Sequence, residues 1–272
     1  MADIGQVGFA VEVAEDGRHL RDAEELEELG YSAIWLPGGQ IDRPDRVLEL
    51  LDATASVIVG TAVLSAAVYG PERVVELHRA AEDRAPGRTV LGLGGPQQRR
   101  SLAAVEAYLD HLDTAQPPVP AEHRMLAALG PRKLEMAARR SAGPLLLLVT
   151  PAYLRAVRAD LAATSLVVGL LVVLGEDAER ARTTARGTLG FLSGLPGYQA
   201  HLGRLGYTDE QVRNLDEALV DDLVALGGPA AVAERVAELR EAGADHVYVQ
   251  MLRGDDQPAG IDAARTLAAT LF

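Results

Sequence analysis

Short apolar runs and longer amphipathic stretches alternate along the chain, and the alternation predicts the architecture. Gln6–Val11 reads as a first strand, and His19–Leu29 as an acidic helix with Leu20, Ala23, Leu26 and Leu29 on one side. Ala33–Leu36 is a buried strand, Asp45–Ser56 a helix and Val57–Leu64 the third strand. Gly70-Pro71 starts a helix that runs to about Arg84, and Thr89–Gly94 is a strand closed by Gly95-Pro96. A helix near Arg99–Leu112 follows, then a proline-bearing surface linker, Asp113–Ala121. Further on, the pattern predicts strands at Met125–Leu129, Leu145–Val149, Leu166–Leu174 and His246–Leu252. Helices are expected at Pro131–Gly143, Tyr153–Leu161, Asp177–Leu192 and Ala230–Ala242 and at the C-terminal end, with Ser193–Leu226 irregular to helical.

Eight strands alternating with helices imply parallel pairing through right-handed crossovers. The glycines divide accordingly: Gly30, Gly87, Gly143 and Gly243 follow helices, whereas Gly38-Gly39, Gly94-Gly95, Gly130 and Gly175 follow strands. EELEELGYSAIWLP and AELREAGADHVYVQ are two copies of one helix–glycine–strand unit. The expected class is α/β, a single (β/α)8 barrel over 1–272 with an insertion at about 193–226 near the seventh helix. An open doubly wound sheet is the rival. It would place a GxGxxG after the first strand, and none is there.

In a barrel, sites collect at the C-terminal ends of the strands. Within MLAALGPRKLEMAARRSAG, Met125–Gly143, the apolar run ends at Leu129-Gly130 and Pro131 takes the first helical position. Gly143 is expected as the C-cap. A strand that ends in glycine before a helix start leaves backbone N–H groups free for an anion.

Composition narrows the partners. The net charge is −13 with no basic tract, which argues against nucleic acid. Without cysteine there is no disulfide, thiolate nucleophile or cysteine-ligated metal, and a cytoplasmic location fits. The start has no basic n-region, so no signal peptide is expected. The longest apolar runs fall short of the roughly 20 residues of a membrane helix, so no membrane association is expected.

Side-chain chemistry is sparse. The six histidines form no HxxxH or similar pair, so no metal site is expected. His19, His78 and His111 fall on helix exteriors and His246 at the barrel bottom, leaving His201 as the one with a route to the pocket. Glu12 and Asp42 follow the first and second strands at the pocket end. Gln250 shares a strand face with Tyr248, either inside the barrel or under the helices. Trp35 is expected in the core. With Tyr198, these give five weak catalytic candidates: Glu12, Asp42, Tyr198, His201 and Gln250. Walls this poor in acids and bases require a cofactor to supply the reactive group.

GYSAIWLPGG, IVGTAVL, GRTVLGLGGP, MLAALGPRKLEMAARRSAG, LVTPAYL and GADHVYVQML occur in this order across nearly the whole chain. Together they resemble the luciferase-like monooxygenase superfamily, and most closely its branch of oxidoreductases that use the deazaflavin coenzyme F420. The resemblance implies a cofactor across the C-terminal face of the barrel, a small-molecule substrate and a homodimer. By position it implies that Leu129, Gly130, Pro131 and Arg132 form the phosphate turn. It also implies a cis peptide at Ala62-Val63 against the central ring of the cofactor, with Gly94 and Gly95 beside the ring system. Two departures stand out. Gly38-Gly39 occupies a place where many relatives carry a polar pair, and Leu145–Leu148 is wholly apolar. Three functions stay open: an F420-dependent hydride transferase, an FMN-dependent monooxygenase, and a degenerate barrel that binds a ligand without catalysis. The acidic balance would repel a polyanionic tail unless Arg132, Lys133 and neighbouring arginines offset it.

Overall fold

A computed structural model describes residues 4–95, 101–161 and 164–272. The strands are β1 Val7–Ala10, β2 Ala33–Pro37, β3 Ile58–Ala62, β4 Leu64–Ser65, β5 Thr89–Gly94, β6 Arg124–Ala127, β7 Pro144–Leu147, β8 Val167–Leu174, β9 Val224–Gly227 and β10 His246–Met251. The helices are α1 Arg18–Glu28, α2 Arg46–Ala53, α3 Pro71–Arg84, α4 Ser101–Thr114, α5 Pro131–Arg140, α6 Pro151–Asp160, α7 Ala178–Ser193, α8 Pro196–Arg204, α9 Asp209–Asn214, α10 Glu217–Leu223, α11 Pro229–Glu241 and α12 Gly260–Leu271. The start expected for α4, at Arg99, lies outside the described residues, as does Pro96. No helix among the described residues is long and apolar enough to cross a membrane.

The sheet runs β1-β2-β3-β5-β6-β7-β8, and β10 pairs with both β8 and β1, closing an eight-stranded parallel barrel. β4 continues along β5, and β9 pairs with the C-terminal half of β8. This is the expected (β/α)8 barrel, and no open sheet forms.

Period-two alternation sorts each strand between two cores. Outward residues such as Phe9, Ile34, Leu36, Val59, Leu91, Val168 and Val249 pack under the helices. Inward residues Ala10, Ala33, Trp35, Ile58, Val90, Met125, Leu145, Val167 and Tyr248 fill the barrel. Trp35 is fully buried and stacks on Tyr248 at 4.9 Å between centroids. Burying a side chain of this size contributes about 4–6 kcal/mol. The two large rings are admitted because their neighbours are small: a Cβ on Gly60 would stand 2.6 Å from the Trp35 ring, and one on Gly169 2.4 Å from the Tyr248 hydroxyl. His246 plugs the bottom, where its Nε2 accepts from Trp35 Nε1 at 3.0 Å and its Nδ1 donates to the Gly5 carbonyl at 3.1 Å.

Several expectations are corrected. α5 ends at Arg140 with Ser141 as its cap, so Gly143 does not cap it. Gly143 is glycine because a Cβ there would lie 1.9 Å from the Ser165 carbonyl oxygen. His19 and His78 are buried rather than on helix exteriors: His19 Nδ1 accepts from the Ala14 N–H, and His78 hydrogen-bonds His123. The third strand breaks at Val63 into β3 and β4. The stretch 193–226, expected as irregular to helical, holds α8, α9 and α10, and beyond that expectation the start of β9.

Candidate functional site

The site is built where β6 gives way to α5. β6 stops at Ala127, and Pro131 pre-sets the first turn of a helix that buries Leu134, Met136 and Ala137. The N–H groups of Lys133 and Leu134 both donate to the Gly130 carbonyl, at 3.0 Å. Proline has no N–H, so within the first turn Arg132 alone offers a donor with no acceptor inside the helix. The free backbone donors are therefore fewer than a bare strand–glycine–helix pattern implies. The turn is held from outside: the Tyr153 hydroxyl donates to the Leu129 carbonyl at 2.5 Å, and Arg204 Nη2, reaching down from α8, donates to the same oxygen at 3.3 Å.

A cavity of about 630 Å³ opens here, over the C-terminal ends of β3, β6 and β7. Its floor is Ala62, Leu145 and Tyr248, its apolar wall Leu129 and Leu145–Leu147, and its roof Pro196–Tyr198 and Arg204 of α8. The volume suits a cofactor-sized ligand. The Ala62-Val63 peptide bond is cis, as the resemblance implies. Val63 is clasped from both sides. A Cβ on Gly38 would stand 2.6 Å from its carbonyl oxygen and 2.8 Å from its nitrogen, and a Cβ on Gly94 2.5 Å from its side chain. Gly38 is thus a packing requirement, because a polar side chain there would collide with the Val63 backbone. Gly94 and Gly95 line a smaller void of about 20 Å³, which shares Ala127 and Lys133 with the main cavity.

The charge in the cavity is one-sided. Arg132, Lys133 and Arg204 line it, and no carboxylate does so among the described residues. Lys133 has no hydrogen-bond or ion-pair partner among them, and burial holds its ammonium below the ordinary lysine pKa. Tyr198 also lines the cavity, with its hydroxyl pushed up to about 12 by burial. Burial raises Tyr248 as well, and Tyr198 adds to the effect. Both phenols therefore stay protonated in neutral water.

Of the residues expected at the site, the cavity gathers Ala62, Val63, Leu129, Gly130, Pro131, Arg132 and Tyr198. Glu12 pairs with Arg253, and Asp42 is exposed and ion-paired to Arg46 and Arg43; neither lines the cavity. Gln250 follows Tyr248 on the inward side of β10 but does not line it either. His201 lies on the buried face of α8. Its Nε2 donates to the Leu148 carbonyl at 2.9 Å, its Nδ1 has no hydrogen-bond partner among the described residues, and burial brings its pKa down to about 4. It is a neutral packing group, and it sits edge-on to Tyr153. Among the cavity's polar residues, Lys133 was expected from the sequence only as a charge that could offset an anionic tail, and Arg204 and Tyr248 were not expected at the site. The signal for Lys133 was its place three residues into a helix that begins at the cavity. No local signal marks Arg204, since α8 reaches the cavity only through the fold.

A family model described as luciferase-like monooxygenase matches residues 102–246, more than half of the chain. Solved structures share the fold over nearly all of it. An F420-dependent secondary alcohol dehydrogenase in complex with an F420–acetone adduct superposes with a TM-score of 0.71 at 14% identity, covering 98% of this chain and 99% of that one. The coenzyme F420-dependent tetrahydromethanopterin reductase from Methanopyrus kandleri gives 0.73 at 14%, covering 97% of each. A type II Baeyer–Villiger monooxygenase in complex with FMN, the oxygenating constituent of 3,6-diketocamphane monooxygenase from Pseudomonas putida, gives 0.59 at 13%, covering 97% of this chain and 96% of that one. No curated protein matches the chain in sequence.

Proposed function

The chain belongs to the luciferase-like monooxygenase family, and from that premise we propose that it is an F420-dependent oxidoreductase acting on a small organic substrate in the cavity above Tyr248. The observation that carries the reading is the set of three cations, Arg132, Lys133 and Arg204, around a cavity with no carboxylate among its described lining residues. In a chain of net charge −13, such a local reversal fits an anionic ligand. The deazaflavin, when bound, supplies the hydride chemistry that the walls lack.

The chain's own groups do the rest. The Arg132 N–H and the positive end of α5 favour a phosphate near Gly130 by about 0.3–1 kcal/mol, and by more where water is excluded. Lys133 and Arg204 add charge-assisted hydrogen bonds. Val63, fixed between Gly38 and Gly94, shapes the seat for the flat ring system. Leu145–Leu147 keep water from the opposite wall. Tyr198, protonated at neutral pH, can deliver a proton to a substrate but is a poor base. The site therefore favours reduction, for example of an activated double bond or a carbonyl, over oxidation of an alcohol.

The test is a steady-state assay with reduced F420 against enones and aldehydes, and with oxidised F420 against secondary alcohols. The reading expects turnover in the reductive direction. Fast alcohol oxidation with no reduction would overturn the assignment of Tyr198, and no turnover of any kind would favour a ligand-binding barrel. The bound FMN of the Baeyer–Villiger neighbour makes reduced FMN with oxygen the parallel arm.

A further inference from the structure

We propose that His78, Glu82 and His123 form a binding site for one divalent transition-metal ion of the zinc type, at the end of the barrel away from the cavity. The sequence spacing conceals it, because the fold brings the third ligand in from another element. His78 and Glu82 are four residues apart on α3 and so share a helix face. His123 closes the short turn Ala121–His123 that feeds into the start of β6. His78 Nε2 and His123 Nδ1 are 3.0 Å apart, and His123 Nδ1 and the nearer Glu82 oxygen 3.7 Å. All three ligand atoms lie within 4.8 Å of one another, the one such cluster among the described residues. Zinc bonds of about 2.0–2.2 Å in tetrahedral geometry separate neighbouring donors by roughly 3.3–3.6 Å. Two of the spacings bracket that range, and the third, between His78 and Glu82, is no more than 4.8 Å.

The surroundings fit. Both Glu82 oxygens accept from the Gly87 N–H, at 3.1 and 3.2 Å, and this aims the carboxylate as an outer-shell partner does. His78 is buried, which holds its ring in place for an ion. Glu82 and His123 are half-buried, which leaves a fourth position for water. Without an ion, one ring lends its N–H to the other. On binding, that hydrogen moves to the far nitrogen of its own ring, which frees the facing lone pair for the ion. The ion would tie α3 to the start of β6, whereas the cavity lies at the other end of that strand. The proposal is therefore independent of the cofactor reading.

The test uses untagged full-length protein, stripped with a chelator, dialysed, and titrated with zinc chloride by calorimetry and cobalt chloride by visible absorption. We expect one ion per chain, the intense bands of tetrahedral cobalt and a rise in Tm with zinc. His123→Ala and Glu82→Gln should each weaken zinc binding by at least about tenfold, the lower end of what losing even an outer-shell partner costs, and abolish the cobalt bands. His111→Ala, at an exposed histidine, should change neither. Absence of stoichiometric binding to the parent, or an unchanged affinity and cobalt spectrum in folded His123→Ala, would overturn the proposal.

Discussion

Replacing Lys133 with methionine separates what the cavity does for binding from what it does for folding. The change keeps a long flexible side chain and removes the charge. In the unliganded protein Lys133 is a partly buried cation with no partner among the described residues, and burial lowers its pKa. A base whose pKa is lower in the folded state binds protons more readily when unfolded. Below the unfolded pKa its charge therefore costs stability, and the cost shrinks as pH rises toward that value. Lys133→Met should raise Tm without ligand. With ligand the sign reverses. A hydrogen bond to a charged group is worth about 1.5–3 kcal/mol, so loss of Lys133 should weaken an anionic cofactor roughly tenfold to a hundredfold. Thermal melts with and without F420, beside a fluorescence titration, read both effects. A variant that is less stable without ligand and binds F420 as tightly as the parent would refute the reasoning, because Lys133 would then be a structural cation.

Tyr198→Phe should leave cofactor affinity within about twofold and lower kcat by about 10²–10⁴-fold if its hydroxyl is the proton donor; an unchanged kcat assigns the proton to water. Gly38→Ala puts a methyl 2.6 Å from the Val63 carbonyl oxygen and should cost about 1–3 kcal/mol in urea unfolding, with weakened cofactor binding; full stability would mean that the loop yields freely. His201 and His246 are held by burial at about 4, so the unfolded chain takes up their protons first as pH falls. Stability from this pair is complete above about pH 6.5 and declines toward pH 4 by roughly 1.4 kcal/mol per pH unit for each. Urea midpoints between pH 7 and 5 check it, and His246→Asn should flatten the slope by one histidine's share.

Period-two and helical patterns marked every barrel strand and most helix starts, because burial on both faces of a parallel sheet leaves continuous apolar runs such as Val167–Leu174. The phosphate-turn candidate was legible for the same reason: Gly130-Pro131 punctuates a strand-to-helix junction. What the pattern could not give were distances between elements. Gly38 stood out in the sequence only as the lack of a polar pair that many relatives carry, and the fold explains it by setting the residue against the Val63 backbone. His201 looked available because nothing local shows that the Leu148 carbonyl, in a residue at φ +56°, would claim its ring. His78 and His123 lie 45 residues apart and meet at 3.0 Å only once the fold brings α3 to the turn Ala121–His123. Arg204 and Lys133 likewise meet over one cavity because α8 folds back across the barrel mouth.

The most direct measurement of the central claim is an equilibrium titration of the purified protein with F420, and with FMN in parallel, at low and raised salt. The account predicts saturable one-to-one binding of F420, tighter than FMN, that weakens as salt screens Arg132, Lys133 and Arg204. Failure of both cofactors to bind at millimolar concentration, or binding indifferent to salt and to the loss of the Lys133 charge, would contradict it.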